Sequence, residues 1–275
     1  MKEKNILLTG AFGFLGKEVY KLLSNYGYNI TAVSHKLSDL SKYTLCDLSK
    51  PEELVNLLEK IKPGIVINLA AKVNFEEKNM SDYYGINILC PAVMSYYCAI
   101  NNTLMIQASS IMVHGSSFSN YNLDTPYRPD SYYGKSKLFA DNLIVASGCI
   151  HSILRFGGIF GKNGPAHLGI NRSINNAIEG MVPSFIGTGD AKRNYIYVKD
   201  AAEAILKCVD ENITGINYIG GEIKTVNGML NDICEVFNPG CEPSYIKGQN
   251  AADQVIENSN HFKITPFKTA LEQMI

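Results

Sequence analysis

Apolar residues along the chain fall into short unbroken runs that alternate with longer stretches of helical spacing. Asn5-Ile-Leu-Leu-Thr9 is a four-to-five-residue apolar run that stops where glycines begin, the signature of a strand covered on both faces. From Gly13 to Tyr26 the apolar residues Phe14, Leu15, Val19, Leu22 and Leu23 return on one side of a helix. Residues 29–34 are β-rich and predict a second strand. Pro51 followed by two glutamates opens a helix that runs to Lys60. Residues 65–69 predict another buried strand, and 81–100 a long helix that Pro91 must kink or break. A strand at 104–108, a helix at 131–147 and a strand at 149–156 follow. Strands alternating with helices imply right-handed crossovers and a parallel sheet with helices on both faces. The predicted fold class is α/β, doubly wound, with a smaller C-terminal lobe for substrate.

After Phe156 the texture changes. Gly157-Gly158, Gly161, Gly164-Pro165 and Gly187-Thr-Gly189 interrupt short periodic segments, so this part reads as loop-rich. Tyr195–Val198 and Ala201–Val209 predict one more strand and helix, expected to return to the main sheet. The expected domains are therefore 1–156, with 191–214 returning to it, and a smaller lobe made of 157–190 and 215–275.

The segment Thr9-Gly10-Ala11-Phe12-Gly13-Phe14-Leu15-Gly16 joins the first strand to the first helix. Gly10 permits the tight turn, Gly13 lets the backbone approach a pyrophosphate at the helix N-terminus, and Gly16 lets helix and sheet lie close. A Rossmann-type dinucleotide site is expected here, from Gly10 through Phe12, Gly13, Phe14 and Leu15 to Gly16. A carboxylate at the end of the second strand would hold a ribose 2′-hydroxyl and favour NAD. Here the residues are Ser34-His35-Lys36, and the first acid is Asp39. A cation suited to a 2′-phosphate tilts the choice to NADP over NAD; the other reading is a solvated Lys36 with Asp39 reaching back. Asp47, between Cys46 and Leu48, is placed either to accept from an adenine amino group or to cap the helix that starts at Pro51.

Tyr133 and Lys137 lie four residues apart and share one helix face. A free phenol, with pKa about 10, is too weak an acid to serve as a base at neutral pH. An adjacent ammonium favours the phenolate, and an oxidised nicotinamide adds a second positive charge. Tyr133 is then a proton acceptor or donor for a hydroxyl or ketone whose carbon exchanges a hydride, while Lys137 holds the nicotinamide ribose. Tyr132 offers no second frame, because the residue four further on is Ser136. Gln107-Ala-Ser-Ser110 ends a strand, where a hydroxyl is placed either to steady the substrate oxygen or simply to cap a turn.

Composition narrows the partners. The formal net charge of -1 gives no bulk attraction to nucleic acid or to a membrane surface. Seven cysteines at irregular spacing, without CxxC, read as reduced thiols of a cytoplasmic protein, and no metal site is expected. The apolar run near the N-terminus is too short for a signal peptide.

Together these features resemble the extended short-chain dehydrogenase/reductase family, in its nucleotide-sugar epimerase/dehydratase/reductase branch. The likeness runs from Asn5 to about Gly221. It rests on the glycine turn, on Asn68-Leu69-Ala70-Ala71, on Ser110-Ile-Met-Val-His-Gly115, on Tyr133 with Lys137, on Arg155-Phe156 with Gly161, and on Gly187-Thr-Gly189 followed by Arg193-Asn-Tyr-Ile-Tyr-Val198. The resemblance implies that Leu69, Ala70 and Ala71 line the cofactor and that Ser110 is the catalytic hydroxyl beside Tyr133 and Lys137. It also implies that Arg193 clamps a substrate diphosphate, against the plainer reading of a surface ion pair. It implies 4-epimerase or 4-keto reductase chemistry on a nucleotide sugar. A homodimer through 81–100 and 131–147 is expected too.

The departures matter. His114 stands where a tyrosine is frequent. Gly157-Gly158 stand where many members carry an asparagine near the substrate phosphates, and Ile111-Met112 stand where 4,6-dehydratases place acids. A non-nucleotide ketone or alcohol is the alternative substrate, and a non-catalytic dinucleotide-binding regulator the alternative role. His114, His167 and Asn171 are further candidates for lining the pocket.

Overall fold

A computed structural model describes residues 5–35, 43–73 and 79–275. Its largest element is a seven-stranded sheet. In chain order the strands are β1 (Ile6–Thr9), β2 (Ile30–Ser34), β3 (Tyr43–Leu45), β4 (Ile65–Asn68), β5 (Leu104–Ser110), β6 (His151–Phe156) and β7 (Gly215–Ile219), and their spatial order is β7-β6-β5-β4-β1-β2-β3. The pairs β1/β2, β1/β4, β2/β3 and β4/β5 are parallel. Strand order reverses between β1 and β4, which makes this the doubly wound Rossmann arrangement, with ligands expected beyond the carboxyl ends of the strands at that switch.

The helices of this part are α1 (Phe14–Asn25), α2 (Pro51–Ile61), α3 (Cys90–Asn101) and α4 (Tyr132–Ala146). Register partners Leu7, Val66 and Met105 face the same side of the sheet. There they join Leu54, Leu57 and Leu58 of α2, Met94, Tyr97 and Cys98 of α3, and Ile144 of α4 in one core cluster. Burying a side chain of this size is worth about 1.5–3 kcal/mol, and β1 and β4 are buried along their whole length, so both faces of the sheet are covered.

The long helix expected over 81–100 is three consecutive pieces: Ser81–Tyr83, a wide π-helical stretch Tyr84–Leu89, and α3. Pro91 lacks an N–H, and its ring crowds the carbonyl four residues back. The widened turn ahead of it takes up that conflict and leaves Pro91 in the first turn of α3, where a missing donor costs nothing. The strand expected at 195–198 is also corrected. It is only Ile196–Tyr197, and it pairs with Ile159–Phe160 outside the large sheet. The seventh sheet strand is Gly215–Ile219, in a segment expected in the smaller lobe. A three-residue strand at 43–45 was too short to carry a periodic signal.

The chain divides into two compact units: Met1–Ser116, Pro126–Arg155 and Ala202–Asn217 form the first, and Ser117–Thr125, Phe156–Ala201 and Tyr218–Ile275 the second. The second unit contains α5 (Gly169–Ile178), the start of α6 (Val198–Glu211), α7 (Val226–Phe237) and α8 (Phe267–Glu272), with short strand pairs between them. Phe160 anchors it, its ring 4.8 Å from Phe267 and 5.6 Å from Tyr197. All seven cysteines are free thiols, and only Cys241 is exposed. Among the described residues no helix is long and apolar enough to cross a membrane, and no cluster of three His, Cys, Asp or Glu side chains is arranged to hold a metal.

Candidate active site

The first unit brings most of the expected site residues to the carboxyl ends of β1, β4 and β5. Gly10 takes φ +67°, and a Cβ there would meet the backbone of Leu69 and Ala70 at 2.6–2.7 Å. A Cβ on Gly16 would lie 1.9 Å from the Gly10 carbonyl. Both glycines are therefore fixed by contact between the turn and its surroundings. Gly13 is different. Its Cβ would meet only the Gly10 carbonyl at 3.2 Å, so this face of the turn stands open.

Gly13 is also the N-cap of α1, with no side chain capping the helix and no acidic residue in the first turn. The first amides of α1 and the positive end of its dipole thus meet no carboxylate from the helix's own first turn, an arrangement that fits a pyrophosphate. Phe12, Phe14 and Leu15 flank the turn, half-buried, and Phe12 packs edge-on against Tyr43 at 6.1 Å. Leu69, Ala70 and Ala71 follow β4, also half-buried.

At the end of β2 Ser34 is half-buried and His35 exposed; Lys36 and Asp39 lie outside the described residues. The Asp47 carboxylate accepts from Ser49 N and Oγ at 3.0 and 2.6 Å, which holds its pKa below the usual carboxylate range. It shapes the turn before α2, whose N-cap is Lys50. Leu48 beside it is buried.

Ser131 caps α4, its hydroxyl accepting from Gly134 N at 3.1 Å, and this sets the helix phase that brings Tyr133 and Lys137 to the end of β5. Tyr133 is hydrogen-bonded to the Ser110 side chain. Ser110 Oγ also accepts from Met112 N at 3.2 Å and caps the 3₁₀ turn 111–114, so this hydroxyl both caps the turn and meets the tyrosine. Lys137 is buried, and its Nζ donates to the Ala108 carbonyl at 2.6 Å.

The electrostatics differ from the acidified phenol expected from sequence. Burial pushes Tyr133 up to about 12; Ser110 opposes the rise, while Asp141 and Tyr83 add to it. Burial pushes Lys137 down to about 8, with Asp141 and Cys90 resisting. Desolvation is the largest cause at both groups and disfavours both charged forms.

Several contributors escaped sequence reasoning. Asn87, within the π-helical stretch, accepts from Lys72 N at 2.8 Å and donates to Lys72 O at 3.0 Å and to Ser136 Oγ at 2.9 Å. It ties the chain after Ala71 to the turn that carries Tyr133. Asp141, one turn after Lys137, is wholly buried and accepts from Ser109 Oγ at 3.0 Å and Arg155 Nε at 3.1 Å. Arg155 also bonds the Tyr127 hydroxyl at 3.0 Å, and His114 stacks on the Tyr127 ring at 5.1 Å. His114 therefore packs within the first unit where a tyrosine is frequent. A polar residue inside an otherwise apolar helix or strand was the available signal for Asn87, Asn68 and Gln107.

In the second unit Arg193 Nη1 donates to Lys192 O at 2.8 Å and Ala252 O at 2.6 Å, and its guanidinium also interacts with Tyr195. A Cβ on Gly158 would meet the Tyr195 ring at 2.6 Å, and one on Gly157 the Ile256 side chain at 2.4 Å. The two glycines thus make room for neighbouring side chains. Asn171 is fully buried and bonds Gly161 N and Ile159 O, both at 3.1 Å, a loop-holding role; His167 is exposed.

The family model described as NAD dependent epimerase/dehydratase family matches residues 6–219, well over half of the chain. This chain is a member of the NAD dependent epimerase/dehydratase family. It is accordingly an enzyme of that oxidoreductase type. The dTDP-glucose 4,6-dehydratase of Salmonella typhimurium is 26% identical over 280 residues, covering 85% of this chain and 76% of the relative. The decarboxylating sterol-4-alpha-carboxylate 3-dehydrogenase of Dictyostelium discoideum is 29% identical over 160 residues, covering 52% of this chain and 48% of the relative, so the matched part spans about half of that protein's length. Among solved structures, UDP-N-acetylglucosamine 4-epimerase from Bacillus cereus superposes with a TM-score of 0.86 at 24% identity, over 99% of this chain and 98% of the other. This structural likeness concerns the fold.

Proposed function

We propose that this family member transfers hydride at a hydroxyl- or keto-bearing carbon of a nucleotide sugar, as a 4-epimerase or a 4-keto-sugar reductase. The observation that carries the reading is the hydrogen bond between Tyr133 and Ser110, one helical turn from Lys137, at strand ends beside the open glycine turn. When bound, the nicotinamide ring supplies or accepts the hydride. Tyr133 moves the proton at its phenolic oxygen, taking it from the substrate hydroxyl in oxidation and returning it to the ketone in reduction. Ser110 bonds the same substrate oxygen and steadies its developing charge. Lys137 holds the nicotinamide ribose. The positive charge of the oxidised cofactor would offset the burial that otherwise keeps Tyr133 protonated. Gly10 to Gly16, Ser34, His35, Lys36, Asp47, Leu48 and Leu69 to Ala71 form the dinucleotide site.

Residues 34–36 include no carboxylate to hold a 2′-hydroxyl, so NADP is the preferred form and NAD the alternative. The Salmonella relative is by name a dehydratase. In this chain Ile111 and Met112 follow Ser110 and have no proton to give, which favours epimerase or reductase chemistry over water elimination.

Arg193, held on two backbone carbonyls, is assigned to the substrate phosphates through its remaining donors. One observation favours the second reading, a non-nucleotide ketone or alcohol: the Tyr195 ring takes the space that a side chain at Gly158 would need. Thermal denaturation with NAD, NADP, UDP and dTDP tests both readings. The nucleotide-sugar reading expects stabilisation by a dinucleotide and by UDP or dTDP, the latter lost in Arg193→Ala. Stabilisation by dinucleotides alone supports the second reading, and no shift with either dinucleotide overturns both.

We further propose a homodimer through α3 and α4, whose side chains Tyr96, Ile100, Phe139 and Leu143 remain exposed.

A further inference from the structure

Three side chains that the proposed chemistry does not use form an unbroken line across the switch point of the sheet. Thr9, Asn68 and Gln107 are register partners on β1, β4 and β5, so their side chains stand side by side. The Thr9 hydroxyl donates to Asn68 Oδ1 at 2.5 Å, and Asn68 Nδ2 donates to Gln107 Oε1 at 2.8 Å. Gln107 Nε2 donates to the Ala108 carbonyl at 3.0 Å, the same carbonyl that receives Lys137 Nζ. At the far end Ala70 N donates to Thr9 Oγ1 at 3.3 Å. Thr9, Asn68 and Gln107 are at most 1% exposed.

The direction of the line is forced. A carbonyl only accepts, so Gln107 must turn its amide nitrogen to Ala108 and its oxygen to Asn68; Asn68 must then turn its oxygen to Thr9. Every member is satisfied in this one arrangement. The strands themselves do not need it: β1 and β4 are otherwise apolar, and buried amides add little net stability over well-packed apolar side chains. What the line does is join the residue next to the glycine turn to the carbonyl on which the lysine ammonium rests.

We propose that Asn68 and Gln107 are positioning residues, which hold the Ala108 carbonyl as the seat of Lys137 and so fix the lysine relative to the dinucleotide turn. This rests on the assignment of Lys137 to the nicotinamide ribose. The line acts on cofactor binding through Lys137, and it polarises in one direction, each donor strengthened by the one before it.

The test compares NADH and NADPH affinity, by the fluorescence of the reduced nicotinamide on binding, with melting temperature in the wild-type chain, Lys137→Met, Gln107→Met and the double variant Asn68→Leu/Gln107→Met. Gln107→Met leaves Asn68 with an orphaned donor and is expected to melt lower. The double variant removes that orphan but leaves the buried Thr9 hydroxyl without its acceptor, so it is expected to recover only part of the melting temperature. If the line positions Lys137, both Gln107 variants lose affinity by about tenfold, the worth of one charge-assisted hydrogen bond, and approach Lys137→Met. In the double variant, part of the stability returns while affinity does not. A double variant with affinity within about twofold of wild type overturns the proposal, since the line then serves packing alone. So does undiminished affinity in a folded Gln107→Met. A wild-type chain that binds neither dinucleotide instead overturns the functional reading itself, and the positioning role with it. Wild-type binding that Lys137→Met leaves unchanged removes the lysine's role and this inference, but not the glycine turn's.

Discussion

Lys137 is 3% exposed, and burial lowers its pKa from the ordinary value of 10.5 to about 8. Between those two pH values the folded chain holds fewer protons than the unfolded chain. The charged lysine therefore costs stability in full below pH 8, and the cost fades as pH rises toward 10.5. Lys137→Met is expected to be more stable than wild type in urea denaturation at pH 7, by on the order of 2 kcal/mol, with the gain shrinking by pH 10. An unchanged difference across that range would show that the lysine's burial carries no such charge cost. The neighbouring hydroxyl makes a second case. Ser110→Ala removes both the contact to Tyr133 and the cap of the following turn. Hydride transfer is expected to fall by about 10- to 100-fold, the loss of one oxyanion donor or somewhat less, and the melting temperature by a few degrees.

At the scale of elements, the glycine turn is held by backbone contact. Gly16→Ala places a methyl 1.9 Å from the Gly10 carbonyl, with no flexible side chain to yield. The variant should lose dinucleotide binding and about 2–3 kcal/mol of stability, measured by calorimetry and denaturant titration. Gly13→Ala meets only the Gly10 carbonyl, at 3.2 Å, and should keep more of the stability than Gly16→Ala while weakening binding.

Which elements were legible follows from the strength of their patterns. β1 and β4 are short unbroken apolar runs, α1 and α2 carry several apolar residues at one helical period, and Gly13, Pro51 and Ser131 mark the starts of α1, α2 and α4. Tyr133 and Lys137 could be found because their spacing of four has meaning only on a helix. The π-helical stretch could not, because Pro91 signals a conflict and not how the preceding turn resolves it. Ile196–Tyr197 carried a strand's composition, but two residues cannot say which sheet they join. Asn68 and Gln107 were invisible as a pair, since register between strands 39 residues apart is not written in either one.

For the whole molecule, α3 and α4 keep large apolar side chains in solvent, with Tyr96 at 68% and Ile100 at 66%. Light scattering is expected to give twice the chain's 30.3 kDa, and Ile100→Glu to shift it toward the monomer. A wild-type mass equal to one chain would remove the dimer. Family membership and the Rossmann order bring a dinucleotide to the strand ends. The central claim is that the phenol of Tyr133 then handles the substrate proton there. The most direct measurement is single-turnover oxidation of NADPH or NADH by a panel of nucleotide-linked 4-ketosugars and simple ketones, in wild type and in Tyr133→Phe. The account predicts turnover by wild type and a fall of about 10²–10⁴-fold in the variant, with dinucleotide affinity retained. Equal rates in the two proteins would contradict it.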